Sequence, residues 1–376
     1  MITMTELFEC TSINGMSLAN RFVRSATWEG LADKDGTVTL RLIEMMVELA
    51  KGEVGLIISG HTFVSPEGQV SPRQLAAYEE RFLPGLRDMV RAVHSVGGKI
   101  SLQLAHGGSR ANSELSGLEP IGPSVVEKGG QPFCGVAGLE DVASIVSAFA
   151  RAAGIAKQAG FDAVQIHAAH GFLLSQFLSP AFNKRSDEYG GELANRARLL
   201  LKVVQSIRNI VGPTYPIIVK INSEDFLDNG MSCAEAVEVS GWLEKASIDA
   251  IEFSGGTTNS PEKFLPVRPG MLKTPEQEVY YRMAARLYKQ KVTIPLILVG
   301  GIRSYEVAEE LVQDGTADYI SLSRPLICEP GLVKRWREGD RRKAECVSDN
   351  ACFAPGLAGR GIYCVTMTKK QSKTGQ

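Results

Sequence analysis

The sequence is poor in the features that commit a chain to a membrane, a polyanion or an oxidising compartment. No apolar run approaches the length a membrane helix needs, and the opening MITMTELFEC has neither the basic start nor the apolar core of a signal peptide. The 41 Lys and Arg residues balance 42 Asp and Glu, so there is no electrostatic case for nucleic acid or an anionic membrane. The short basic run before the tail, Arg341, Arg342 and Lys343, reads as a solvated helix end. Seven cysteines is an odd number, and Cys10, Cys134, Cys233 and Cys328 are scattered without pattern. A reduced, cytoplasmic protein fits best. Also missing is G-x-G-x-x-G after the first candidate strand, which leads instead into ATWEG. That weakens the case for a doubly wound dinucleotide sheet.

What is present is 376 residues, 44% of them hydrophobic, enough for one large barrel domain acting on a small molecule. A homo-oligomer is left open. Short β-branched apolar runs recur at 21–25, 55–59, 99–104, 162–167, 216–222, 249–254, 295–300 and 318–323. Helix-spaced segments lie between them, such as LRLIEMMVELAKG, LPGLRDMVRAVHSVGG and LEDVASIVSAFARAAGIAKQAG, the last stopped by Gly160. The runs read as continuous, as parallel strands covered on both faces do. Eight strand–helix units predict a closed (β/α)8 TIM barrel. Residues 106–140, rich in Gly, Ser and Pro, read as an extended loop over one mouth.

In such a barrel the chemistry sits at the carboxyl ends of the strands. Those ends are polar here: Ser25-Ala26-Thr27, Ser59-Gly60-His61, Gln103 with His106 beyond it, His167, Lys220 with Asn222, Ser254-Gly255-Gly256, Gly300-Gly301 and Ser323-Arg324. Gly300 and Gly301 let backbone N–H groups approach a phosphate, and Arg324 adds a paired charge. Turn glycines beside a surface arginine are the plainer reading. Lys220, a cation in an apolar strand, needs an anionic partner. Beside a flavin it would stabilise the charge that reduction adds; in an aldolase it would form a Schiff base. Gln103 and Gly60, a neutral amide and a gap for a flat ring, favour the flavin.

His167 ends a strand and His170 follows three residues on, so both imidazoles can address one mouth. Two N–H donors on one carbonyl or phenolate oxygen would polarise a conjugated alkene. A metal is the competing ligand, but Asp162 and Asp187, the nearest carboxylates in sequence, complete no obvious triad.

At this motif, HAAHGFLLSQFLSPAFNKRSDEYGGELANRARLL resembles the signature of the Old Yellow Enzyme family of flavoprotein reductases, and the likeness runs from Asn20-Arg21 through Arg324. The resemblance implies a (β/α)8 barrel that binds FMN, is reduced by NADH or NADPH and is reoxidised by activated alkenes. It implies Ala26, Thr27, Gly60, Gln103 and Lys220 around the isoalloxazine, and Gly300, Gly301, Ser323 and Arg324 on the phosphate. The family often has Arg where Lys220 stands, so charge survives but bidentate geometry does not.

Two departures bear on mechanism. The position two residues after the second histidine, usually a proton-donating Tyr, is Phe172, with His61 and Tyr78 as substitutes by chain location. Trp28 stands where relatives often place Cys or Thr, and it either shrinks the pocket or simply packs. The tail resembles the iron–sulfur branch of the family, the enoate and dienoyl-CoA reductases, but Asp349 takes the place of one thiolate beside Cys346, Cys352 and Cys364. An iron–sulfur cluster, zinc, or three free thiols are the alternatives. The expected layout is a barrel over 1–340 and a cysteine-bearing extension over 341–376, with no room for the second domain of that branch. The expected reaction is ping-pong hydride transfer from NAD(P)H to an enone-like acceptor. The alternatives are a flavin-free aldolase or isomerase using Lys220, and an FMN-binding protein with weak turnover because of Phe172.

Overall fold

The computed structural model describes residues 7–128 and 131–374. Eight parallel strands follow the predicted runs: β1 Phe22–Arg24, β2 Leu56–Ile58, β3 Ile100–Ala105, β4 Ala163–Ala168, β5 Ile217–Asn222, β6 Ala250–Ser254, β7 Leu296–Val299 and β8 Tyr319–Leu322. Each pairs with the next in the chain, and β8 returns to β1 through Ile320 opposite Phe22, which closes the barrel. The (β/α)8 expectation holds.

The outer layer comprises α1 Leu40–Lys51, α2 Leu83–His94, α3 Leu139–Ala159, α4 Leu193–Val211, α5 Cys233–Lys245, α6 Arg282–Lys289, α7 Tyr305–Gln313 and α8 Leu332–Arg337. Helix α1 shows why these segments form. Thr39 caps it by accepting from the Leu42 N–H, and Leu42, Met46, Leu49 and Ala50 recur on one face and are buried. Helix α3 stops where Gly160 turns left-handed at φ 95°, as its position in the sequence predicts.

Two expectations need correcting. The 106–140 stretch is not simply a loop. It carries a short helix, Ser113–Ser116, and a small sheet in which Gln131–Val136 pairs with Ile121–Gly122 and Val126–Lys128. The basic run is not a helix end, because α8 stops at Arg337. Arg341 instead lies over the Tyr305 ring at 4.1 Å, while Arg342 pairs with Asp340 and Lys343 with Glu278.

The main core lies between strands and helices, and a second, smaller one fills the amino-terminal end of the barrel. There the hairpin Thr11–Ile13 with Met16–Leu18 drives Ile13, Met16 and Leu18 against Val23, Leu56, Ile58, Ile218, Ile297 and Tyr319. Each such side chain contributes about 1.5–3 kcal/mol. With the bottom plugged by apolar side chains, polar groups collect at the other end. Among the described residues no helix is long and apolar enough to cross a membrane.

Candidate active site

Side chains alternate along a strand, so every second residue of a barrel strand faces inward. In β5 the inward series is Ile218, Lys220, Asn222; in β6 it is Ala250, Glu252, Ser254. In β4 it is Ala163, Gln165, His167, and in β8 Tyr319, Ser321, with Ser323 following. The lowest members are apolar and the upper ones polar. Register then brings the polar members together, with His167 opposite Lys220 and Lys220 opposite Glu252.

Glu252, fully enclosed, is the hub of the middle layer. Its Oε1 accepts from the Ser25 hydroxyl at 2.7 Å and the Ser321 hydroxyl at 2.8 Å, and lies 3.3 Å from Lys220 Nζ. Its Oε2 accepts from Gln165 Nε2 at 2.8 Å, and Gln165 Oε1 accepts from Gln103 Nε2 at 2.7 Å. Lys220 Nζ also donates to Ser25 Oγ at 2.7 Å. Burial presses the Lys220 ammonium below its ordinary value while Glu252 pulls it back up. The anionic partner that a buried lysine requires is thus inside the protein.

Above this layer opens a pocket of about 390 Å³, lined among others by Ser25, Ala26, Thr27, Trp28, His61 and Gln103. Arg110, His167, His170, Phe172, Lys220 and Ser323 also line it. The His167 and His170 rings meet edge to face with centroids 5.4 Å apart. His170 Nε2 lies 2.7 Å from Ser254 Oγ, and His167 Nδ1 is buried without a partner. His170 has φ 61°, a left-handed backbone uncommon outside glycine; Asn222 Oδ1 secures it by accepting from its N–H at 3.0 Å. Burial, then neighbouring positive charges, holds both imidazoles well below their ordinary pKa, so both are neutral at neutral pH. Phe172 lies 4.2 Å from the His167 ring and 5.3 Å from the His61 ring, with the Arg110 guanidinium 4.9 Å above it.

A second cavity of about 60 Å³ joins the ends of β7 and β8. Gly300 and Gly301 line it at φ 130° and 78°, together with Ser323, Arg324, Arg303 and Tyr280. Arg324 Nη1 donates to the Arg268 carbonyl and to Asn350 Oδ1. Arg268 lies over the Tyr280 ring at 4.1 Å, and its Nε and Nη2 are buried without partners, as is Arg303 Nε. Buried guanidinium donors left over in this way suit an anion.

Not every predicted residue reaches these cavities. Gly60 was read as a gap for a flat ring, but a Cβ there would lie 2.2 Å from Glu29 Oε2. What needs the glycine is the Glu29 carboxylate, which accepts from Gly60 N–H and pairs with Arg24. Gly255 and Gly256 are absent from the pocket lining: a Cβ would strike the Tyr281 ring and the Phe264 carbonyl respectively. Tyr78 is also outside, packed on Phe63 and Phe82 and bonded to Arg81, whereas His61 lines the pocket. Trp28 does both things expected of it. It lines the pocket, while its Nε1 donates to the Pro72 carbonyl and its ring packs against Gly356 of the tail.

Sequence reading missed Glu252, Gln165, Arg268, Arg303, Arg110 and Phe353. The last comes from the tail helix Phe353–Leu357 and lines the main pocket. It also took Cys328 as unpatterned, yet the Cys364 and Cys328 sulfurs are 3.5 Å apart. Asp349 is exposed and accepts from Thr366 Oγ1 and Ala351 N–H, and it lines one small cavity with Cys328, Cys346, Cys352 and Cys364. Among the described residues no three His, Cys, Asp or Glu side chains are arranged to hold a metal.

A model of the NADH:flavin oxidoreductase / NADH oxidase family matches residues 6–343. The chain is 34% identical over 357 residues to an NADH oxidase of Thermoanaerobacter brockii, spanning 93% of this chain and 54% of the relative. A solved 2-naphthoyl-CoA reductase in complex with 2-naphthoyl-CoA superposes with a TM-score of 0.87 at 28% identity, covering 95% of this chain and 56% of that one. The chain therefore spans about half the length of both. It is also 34% identical over 326 residues to an NADPH dehydrogenase of Halalkalibacterium halodurans, covering 86% of this chain and 92% of the relative. By sequence and by fold, the chain belongs to the NADH:flavin oxidoreductase / NADH oxidase family, that of the Old Yellow Enzymes.

Proposed function

We propose that the protein is an FMN-dependent NAD(P)H oxidoreductase that reduces an alkene conjugated to a carbonyl. The observation that carries this reading is the neutral His167/His170 pair at the mouth, directly above the Lys220–Glu252 layer. The residues suit FMN. Arg268, Arg303, Arg324 and the Gly300-Gly301 backbone would hold its phosphate; Gln103, Thr27 and Lys220 would hold its ring. FMN, when bound, supplies a two-electron relay between nicotinamide and substrate.

The protein's own work is binding and polarisation. Neutral imidazoles donate N–H without bringing a proton that titrates near neutrality. His167 and His170 together would seat the carbonyl oxygen and draw electron density toward it. Lys220, whose charged form Glu252 favours against burial, would favour added negative charge at the floor of the pocket. Phe172 has no proton to give. His61, held down to about 3 by burial and by Arg110, is a poor acid at neutral pH. Water from the mouth is left as the proton source. An aldolase role for Lys220 is disfavoured because its ammonium is engaged by Glu252 and Ser25. The barrel over 1–340 would carry the cofactor, with the 341–376 extension walling the pocket through Phe353.

The gently purified protein should show flavin absorbance, and phenols should add a long-wavelength charge-transfer band. His167→Ala with His170→Ala should retain flavin and lose at least about tenfold in phenol affinity. Colourless protein, or unchanged phenol binding in the double variant, would overturn the assignment. NADH oxidation that stays slow in the presence of cyclohexenone would favour an FMN-binding protein with little turnover.

A further inference from the structure

The pocket lining contains two basic side chains, Arg110 and Lys220, and no carboxylate. Their situations differ. Lys220 is matched by Glu252 within the same layer. Arg110, the last residue of the short 3-10 turn Gly108–Arg110 that follows β3, forms no ion pair among the described residues. Its Nη1 donates to the His170 carbonyl at 2.7 Å, and its guanidinium faces the Phe172 ring at 4.9 Å. The nearby Glu67 is turned to His106, 3.6 Å from its Nε2. The three histidines of the mouth, His61, His167 and His170, are neutral and offer no opposing charge.

We propose that Arg110 recognises a carboxylate on the substrate, so that the favoured substrates are α,β-unsaturated carbonyl compounds that also carry an anionic carboxylate. This rests on the reductase reading above and narrows it. A guanidinium half-buried without a counter-ion loses part of its hydration, and a cation–π contact offsets only part of that loss. Burial alone, with no carboxylate opposing it, pushes Arg110 down to about 10, so it remains charged at neutral pH. A planar fork of donors is the group best matched to a carboxylate. Its bond to the His170 carbonyl fixes it beside the imidazole that would bind the reacting carbonyl. One substrate would then be held at two points, its carbonyl by the histidines and its carboxylate by Arg110. Phe172 contributes here as well: the ring that supplies no proton supplies the face on which the guanidinium rests.

The nicotinamide cofactor also carries anionic phosphates, and the test separates the two sources. With flavin-loaded protein, 3- and 4-hydroxybenzoate are titrated against the corresponding hydroxybenzamides, following the flavin spectrum. The wild type should bind at least one acid about tenfold or more tighter than its amide. Arg110→Gln should remove that preference without changing amide affinity, and Arg110→Lys should restore part of it. Unchanged amide binding shows that the variant site is folded. Equal affinity of acid and amide in the wild type, or a preference that survives Arg110→Gln, overturns the proposal while leaving the flavin reading intact. If neither ligand type perturbs the flavin, the carbonyl seat itself is wrong and the proposal falls with it. Reduction is then compared with NADH and with 1-benzyl-1,4-dihydronicotinamide, which has no phosphate. A variant that weakens only for NADH, with its acid preference intact, assigns Arg110 to the cofactor and overturns the substrate role.

Discussion

Glu252 and Asp349 are both carboxylates among residues suited to binding chemistry, yet their surroundings are opposites. Glu252 is enclosed by Ser321, Gln165 and Lys220 from three different strands and by Ser25 just beyond a fourth. Asp349 is exposed, and its partners Ala351 and Thr366 belong to its own tail. The barrel interior converts strand register into convergence, since pairing fixes which side chains share a layer. The tail has suggestive spacing but no ladder to aim it. Spacing along a chain makes a site only where the backbone between the residues is held.

The sharpest way to break this contrast is Glu252→Ala. Removing one member of a buried ion pair strands the other, so stability should fall by about 3–5 kcal/mol, read from urea unfolding of the flavin-free protein. A loss below about 1 kcal/mol would make the hub no more consequential than a surface carboxylate. Next is Arg303→Ala. If its spare Nε serves an anion, FMN affinity should drop by about 1.5–3 kcal/mol, roughly tenfold or more, measured by flavin release on dilution. A third test uses acid. His61 has a folded pKa of about 3 against about 6.5 unfolded, so below pH 6.5 the unfolded chain takes up a proton that the folded one refuses. Its contribution is intact above pH 6.5 and is lost as pH falls toward 3, by about 1.4 kcal/mol per unit. His61→Asn should flatten the stability profile by that slope between pH 6 and 4, and an unchanged slope would mean that His61 accepts a proton in the folded state. The smallest effect is expected at the tail, where Asp349→Ala should shift stability by no more than about 0.5 kcal/mol and leave flavin content unchanged. A loss as large as that of Glu252→Ala would erase the contrast.

The barrel was legible because its eight apolar runs and their polar ends recur at regular intervals, and the His167/His170 pair because its motif is local. Glu252 and Gln165 were readable in principle. In V-Q-I-H, V-K-I-N, I-E-F-S and I-S-L-S the polar residues alternate with apolar ones, which marks an inward polar series. Taking those runs as continuous hid it. Arg303, two residues beyond Gly301, was readable from its position, whereas Arg268 lies in a distant loop brought over Tyr280 by tertiary packing, for which no periodicity speaks. At Gly60 the close approach that the structure shows is that of Glu29, because a glycine signals a close approach but not the group that approaches. Cys328 paired with Cys364 could not be seen either. The turn that returns the tail to the helix Arg324–Cys328 is not encoded in cysteine spacing.

The meeting of Trp28 with Gly356, and of Phe353 with the pocket, also has a consequence in time. Trp28 is made about 330 residues before its packing partner Gly356. At about 5–20 residues per second, the early half of the pocket wall waits on the order of tens of seconds for the later half. Closure of the barrel through β8 and β1 falls late in the same interval. A nascent chain therefore presents an unfinished mouth until the tail helix has been made. Tight cofactor capture should await the tail helix, and ribosome-bound chains arrested before residue 353 should hold flavin loosely.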